Sequence, residues 1–385
     1  MSLYYVGVMG AADAAIIGRL TATLRTLLEP LGISDQLELL SPADHFDPPG
    51  DFASVGVFFG AAGVVADQAH LARLMRAGTP LIPVVTDAKE FQKQIPTCLH
   101  PINGLVLESS DPGLVRLASV VLETLGLLPR QRRLFLSYRR TESREAALQL
   151  FEALSARHFD VFLDTHGVPP AEDFQEVLWH RLSDSDALVM LDTPSYFESR
   201  WTSMEFGKAL AKSLVPVRLG WPGVAPAARS LSGESIQLEF ADFEAGGLLL
   251  KQSAVDRAAL AIERARSRGI ALRSVEMVGA LAYAAGKIDG RLLGLGPKRT
   301  ALIELHSKHR VLVYPSVGIP TAEHLHQVAT LEGAHDSRAV AYDNCGIARR
   351  WQAHLEWLGT EVKSARWLRI GDARWQLATW VEDLG

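Results

Sequence analysis

Short apolar runs alternate with amphipathic stretches along most of the chain. In its middle, the runs 134–138, 160–164 and 187–192 are rich in Val, Leu and Phe. Runs of that length and composition suit strands buried on both faces of a parallel sheet. Between them, Ala147, Leu150, Phe151 and Leu154 recur at helical spacing, as do Phe174, Val177, Leu178 and Leu182. Each set makes one apolar helix face. A helix over 202–212 and a strand over 215–219 follow. Strands alternating with helices of this size predict βαβ units and a doubly wound α/β sheet.

The same alternation appears on both sides. Before the middle segment, strands are expected at 4–10, 54–60 and 80–85, with helices over 14–31 and 68–77. The order strand 54–60, helix, strand 80–85 mirrors strand 187–192, helix, strand 215–219, so residues 1–128 read as a degenerate, non-catalytic relative of the middle segment or another flavodoxin-like domain. The polar, Pro-containing stretch 128–133 suits a linker. Residues 253–288 are helical in pattern and read as a connector to a third unit at 290–385. That unit is expected to be a small α/β domain, with strands at 300–305, 310–317, 338–343 and 367–370 and helices at 321–331, 346–358 and 372–384.

At 385 residues, several domains are expected. A hydrophobic content of 48% and a charged content of 22% describe a globular protein. The net charge of −5 gives no bulk attraction to nucleic acid or to a membrane. No apolar run is long enough for a membrane-spanning helix, and the start of the chain lacks the basic region of a signal peptide. The two cysteines, Cys98 and Cys345, lie far apart and fit a reducing compartment. A cytoplasmic protein is expected. No His/Cys group has zinc spacing and no Walker A motif is present. The last unit mixes Trp351 and Trp375 with Arg350 and Arg374, but its acidic and basic residues nearly balance, so core packing is preferred over nucleic-acid binding.

The chemistry-bearing candidates gather where the middle strands end. Ser137, Tyr138, Arg139 and Arg140 leave the first strand, and Asp164 ends the second. An arginine here can pair with a pyrophosphate or stand as a solvated charge. Thr202-Ser-Met-Glu205 fits a capping box, with Thr202 as the helix cap and Glu205 returning the bond. Trp201 can wall a pocket or join the core. Asp173 reads as an N-cap, and Cys345 as a cysteine at a helix start. In the first domain, Gly60-Ala-Ala-Gly63 is a turn more simply than a phosphate cradle.

Three of these runs carry a family resemblance. LFLSYRR (134–140), DVFLDTHGVPPAEDF (160–174) and YFESRWTSMEF (196–206) fall in the order and on the elements of a bacterial Toll/interleukin-1 receptor (TIR) domain. The segment 132–245 resembles that family, with a domain expected over 132–250. Thr202 stands where the family has Cys, and Ala171 follows Pro170 where Gly is common. The resemblance implies a flavodoxin-like sheet of the TIR type and NAD+ as substrate rather than cofactor. It implies cleavage of the nicotinamide–ribose bond with Glu205 as the catalytic carboxylate. It implies self-association through the loop that holds His166, Pro169 and Pro170, and a role in anti-phage defence under an unknown activating ligand or protein. The alternatives are a cyclase that makes an ADP-ribose isomer and a non-catalytic interaction module. By the repeat, the first domain offers Leu71 or Ala72 where the middle segment has Glu205.

Overall fold

The computed structural model describes residues 4–31, 33–41, 46–48, 53–63, 67–107, 111–128, 131–163, 174–296 and 299–382. The chain divides into two compact units, Met1–Arg130 and Gln131–Gly385.

The first unit runs β1 (Tyr4–Gly10), α1 (Ala14–Leu28), β2 (Leu37–Leu40), β3 (Ala53–Phe59), α2 (Gln68–Arg76), β4 (Leu81–Val85), α3 (Phe91–Gln94), β5 (Leu105–Val106) and α4 (Asp111–Thr124). Its five strands are parallel in the order β2-β1-β3-β4-β5. On the face of the sheet that carries α2, Gly7 of β1 lies beside Gly56 of β3, and the ring of Phe46 covers them. A Cβ on Gly7 would stand 2.1 Å from that ring, so the two glycines make the seat for the aromatic side chain. Phe46 comes from the connection after β2, and its carbonyl bonds Nε2 of His70 at 2.7 Å.

The second unit holds two sheets. The leading one is built from β6 (Arg133–Ser137), α5 (Arg140–Ser155), β7 (Asp160–Leu163), α6 (Phe174–Asp184), β8 (Ala187–Asp192), α7 (Arg200–Ala211), β9 (Val215–Gly220) and β10 (Glu234–Gln237). Its strands are parallel in the order β7-β6-β8-β9-β10. Numbered within each segment, both sheets read 2-1-3-4-5, the flavodoxin-like order. Each sheet is buried because helices cover both faces; β8 and β9 have no exposed residue. That environment explains the continuous apolar runs.

The last sheet consists of β11 (Arg291–Leu295), β12 (Ala301–Glu304), β13 (Arg310–Pro315), β14 (Ser337–Tyr342) and β15 (Arg366–Arg369) in sequence order. Its first three strands are antiparallel and its last three parallel. Helices α9 (Ala322–Ala329), α10 (Arg349–Glu361) and α11 (Ala373–Glu382) complete it.

Between these two sheets runs α8 (Gln252–Gly286), a single helix of 35 residues, about 50 Å long at 1.5 Å per residue. The sequence suggested a connector. In the structure, Val255, Ala258, Ile262 and Ala265 complete the core of the leading sheet. Met277, Leu281 and Ala285 complete that of the last sheet. Its alanines let the helix axis lie close to the strands. Arg266, fully buried, donates from Nε to Asp186 at 2.8 Å and holds α8 to the start of β8.

Candidate active site

The carboxyl ends of β6, β7 and β8 form one edge of the leading sheet, and α7 starts there. The helix is capped by Ser199, whose hydroxyl accepts from the Thr202 amide at 3.5 Å. The cap therefore stands three residues earlier than the sequence pattern suggested, and the capping-box reading of Thr202 and Glu205 is wrong. Thr202 instead donates its hydroxyl to the carbonyls of Tyr196 and Ser199. Glu205 is the sixth residue of the helix, where no free amide remains for its side chain to cap.

Released from capping, Glu205 turns inward. It is 3% exposed, and Ser137 Oγ donates to its Oε2 at 2.5 Å. Ser137 is the last residue of β6, and its Oγ lies 2.8 Å from the hydroxyl of Tyr196. Ser137 has one proton and spends it on the carboxylate, so Tyr196 donates to Ser137. Burial first, then the Glu205 charge, push the Tyr196 phenol well above its ordinary pKa. The phenol stays protonated, and two hydroxyl donors in series point at one buried carboxylate.

A second set of contacts fixes the loop between β8 and α7. The Ser195 amide donates to Glu142 at 3.3 Å, and the Ser195 carbonyl accepts from the Arg139 guanidinium. Arg139 also lies 3.5 Å from Glu198. Loop residue Ser195 is thus clamped at both ends by the start of α5, one residue before Tyr196. On the same face of the sheet, Asp192 and Arg218 form a buried ion pair at 2.5 Å. Arg218 also donates to Gln237 at 3.0 Å and to the Val224 carbonyl at 2.8 Å. A Cβ on Gly220 would stand 2.2 Å from the Arg218 guanidinium, so a side chain here would displace the guanidinium from its present place. Burial is the main influence on the Asp192 carboxyl and raises its pKa against the pull of Arg218.

The expected site residues separate accordingly. Glu205 and Ser137 meet directly. Arg139 sits beside them but holds the loop. Arg140 is exposed at the first turn of α5, and Trp201 is 46% exposed at the second position of α7. Tyr138 does not join them. It is 4% exposed and packs in the core on the opposite face with Leu136, Leu150 and Leu163, as strand alternation after Ser137 requires. Asp164, His166, Pro169, Pro170 and Asp173 lie outside the described residues. The helix expected at Cys345 starts at Arg349 instead, and the neighbouring Asp343 charge raises the Cys345 pKa rather than lowering it.

The sequence reading gave no role to Arg218, Asp192, Glu142 or Ser195. One signal was present: an arginine inside the apolar strand VPVRLG needs a buried partner, and the strand before it ends in Asp192. The clamp on Ser195 is a loop contact with no periodic signature.

A family model described as the TIR domain matches residues 134–250. These residues form a TIR domain. Its match spans β6 to the end of the loop before α8, and so includes Ser137, Tyr196 and Glu205. No curated protein matches the chain at a significant level. Among solved structures, the chain is similar to the TIR domains of the activated Roq1 resistosome recognising the pathogen effector XopQ. That match has 21% identity, covers 37% of this chain and 84% of the other, and has a TM-score of 0.24. It is also similar to proximal thread matrix protein 1 from the mussel byssus, at 10% identity over 70% of this chain and 96% of the other, with a TM-score of 0.22. A third likeness is to the C-terminal domain of glucosamine-fructose-6-phosphate aminotransferase from Francisella tularensis, at 9% identity over 71% and 85%, with a TM-score of 0.20. Scores this low carry no fold or function across. Among the described residues, no helix of the protein is long and apolar enough to cross a membrane.

Proposed function

We propose that the TIR domain cleaves the nicotinamide–ribose bond of NAD+, with Glu205 as the catalytic carboxylate. The observation that carries this reading is the buried Glu205–Ser137–Tyr196 network at the carboxyl edge of a parallel sheet, where α/β folds bind ligands. In the reaction, the bond between C1′ of the ribose and the pyridinium nitrogen breaks. Its electron pair goes to the nitrogen, and nicotinamide leaves as a neutral base that needs no proton. One carboxylate is then enough, in contrast to the usual glycosidase pair. Glu205 accepts hydrogen bonds from the ribose hydroxyls and stabilises the positive charge that develops at C1′. Water adds to C1′ and loses a proton, giving ADP-ribose. Attack by an atom of the adenosine part would give a cyclised product instead.

At 3% exposure, the Glu205 carboxylate is sealed in this conformation. A site that consumes NAD+ must be silent until triggered, and the sealed carboxylate supports such control. We assign opening to self-association, with the loop of His166, Pro169 and Pro170 as the contact, in a defence role in the cytoplasm. The same burial also favours a rival, a non-catalytic interaction module in which Glu205 is only structural. The two readings separate on one measurement: nicotinamide release from NAD+ by the full-length protein, alone and after concentration into assemblies. Release that disappears in Glu205→Gln supports catalysis. No release in any assembled state supports the interaction module.

A further inference from the structure

The last sheet has its own carboxyl edge. Ser316 follows β13, Asp343 follows β14 and Ile370 follows β15, and all three line one cleft of about 240 Å3. These are the three parallel strands of that sheet, and the crevice outside the carboxyl ends of parallel strands is where such sheets bind ligands. Arg273 and Met277 of α8 and Lys212, just beyond α7, close the cleft from the other side. The cleft shares no residue with the Glu205 network.

Four charged side chains line it, Lys212, Arg273, Glu276 and Asp343, and further ion pairs stand behind them. Arg133 pairs with Asp184 at 2.5 Å and Arg266 with Asp186 at 2.8 Å. Lys212 pairs with Asp343 at 2.6 Å. Arg273 is 8% exposed, and its Nε has no hydrogen-bond partner among the described residues. Its Nη2 makes a long contact of 3.4 Å to the Asp186 carbonyl oxygen. A buried guanidinium nitrogen left without a partner costs about 1–3 kcal/mol; burial lowers the Arg273 pKa, against the pull of the Asp186, Asp184 and Glu276 charges. A bound anion would remove that cost. Arginine is the side chain best shaped for phosphate or carboxylate.

We propose that this cleft is a ligand site for a small organic anion, a phosphate monoester or carboxylate no larger than a mononucleotide, whose charge pairs with Arg273. The apolar side chains of Met277 and Ile370 receive the body of the ligand. The volume is below the common range for ligand pockets, roughly 300–1,000 Å3, and suits a ligand smaller than a dinucleotide such as NAD+. Its occupancy is read by α7: Lys212 ends the helix that carries Glu205 and is bonded across the cleft to Asp343. The binding site stands without the NAD+ reading. Only its effect on turnover rests on that reading.

The test is calorimetry on the full-length protein with AMP, inorganic phosphate, benzoate and adenosine as probes. AMP and phosphate represent the phosphate source, benzoate the carboxylate source, and adenosine the uncharged control. At least one anion is expected to bind, with adenosine silent, and Arg273→Met should weaken that binding at least about tenfold, the loss of one charge-assisted hydrogen bond. Ala280→Trp, which keeps Arg273 and fills the cleft, should weaken it as well. Glu205→Gln should leave it unchanged, which separates this site from the TIR site. The proposal is overturned if none of the three anions binds the wild-type protein, or if both Arg273→Met and Ala280→Trp bind as the wild type does.

Discussion

In the first unit, the strand that leads the sheet ends at Gly10, and the sixth residue of the helix after the third strand is Arg73. In the TIR domain the same two places hold Ser137 and Glu205. Gly10 has φ +77° and no side chain to donate, and Arg73 is an exposed cation 3.6 Å from Asp47. The sequence repeat pointed to Leu71 or Ala72 at this place; counting from the observed helix caps, Asp67 and Ser199, moves it to Arg73. The connection after the second strand differs too. In the first unit it lays Phe46 over Gly7 and Gly56, whereas in the TIR domain the chain continues into α6. One strand order thus supports a face filled by an aromatic ring in one copy and a buried carboxylate with its donors in the other. Topology sets where a site can stand, and a few side chains decide whether one is there.

The sharpest way to break this contrast is to change the paired positions. Glu205→Gln should lower nicotinamide release by about 10²–10³-fold, the usual loss when a group that stabilises transition-state charge is removed, while Arg73→Gln should change neither release nor melting. Equal loss in both variants would mean that the two positions do not differ in function. Phe46→Ala should cost the first unit about 3–5 kcal/mol, as for other buried aromatic side chains, seen as an earlier melting transition with turnover intact at low temperature.

Within the TIR domain, Ser137→Ala removes one donor from the buried Glu205 carboxylate. A hydrogen bond to a charged group contributes about 1.5–3 kcal/mol, so kcat should fall about 10–100-fold. Tyr196→Phe acts one bond further away and should cost less. If Tyr196→Phe proves the more damaging, the order of donors is wrong.

The fold was legible in this sequence because both flavodoxin-like sheets are buried on two faces, and β8 is an apolar run up to its last residue, Asp192. What escaped was short and half-exposed. β2, β10 and β11 carry few or no fully buried residues, and β5 has only two residues. Such strands are held by the neighbour they pair with, not by a pattern of their own. Glu205 and Ser137 were legible through motif positions; their direct contact was not, since it joins residues 68 apart in the chain. Tyr138 was misplaced because its neighbours in the motif face the site and strand alternation turns it away.

Arg139 and Arg140 test the loop clamp, with smaller effects. Arg139→Ala frees the Ser195 carbonyl and should lower kcat several-fold with KM nearly unchanged, since Arg139 positions Tyr196 through the loop. Arg140→Ala, if Arg140 meets the pyrophosphate, should raise KM for NAD+ about tenfold, on the order of one charge-assisted bond. A KM effect from Arg139 and a kcat effect from Arg140 would reverse the two roles.

The smallest effect concerns α6, which has no counterpart among the described residues of the first unit. Its His180 accepts from the Ala348 amide through Nδ1 at 3.1 Å, and its last residue, Asp184, accepts from the Ile319 amide at 3.0 Å. Both contacts join the TIR domain to the loops of the last sheet. Burial first, then nearby arginines, lower the His180 pKa from 6.5 to about 4. Its contribution is complete above pH 6.5 and is lost as pH falls toward 4, because the unfolded chain takes up the proton first. Asp184 runs the other way. Burial raises its pKa from 3.8 to about 6, so its contribution is complete below 3.8 and is lost as pH rises through 6. Between pH 6 and 4 the two slopes oppose each other, and wild-type melting should change little on their account. His180→Asn keeps an acceptor but removes one slope, so melting should rise from pH 7 to pH 5, by an effect of about 1–2 kcal/mol after allowance for partial exposure. Asp184→Asn should fall over the same range. Parallel pH profiles in the wild type and both variants would show that α6 does not carry the acid sensitivity of this contact.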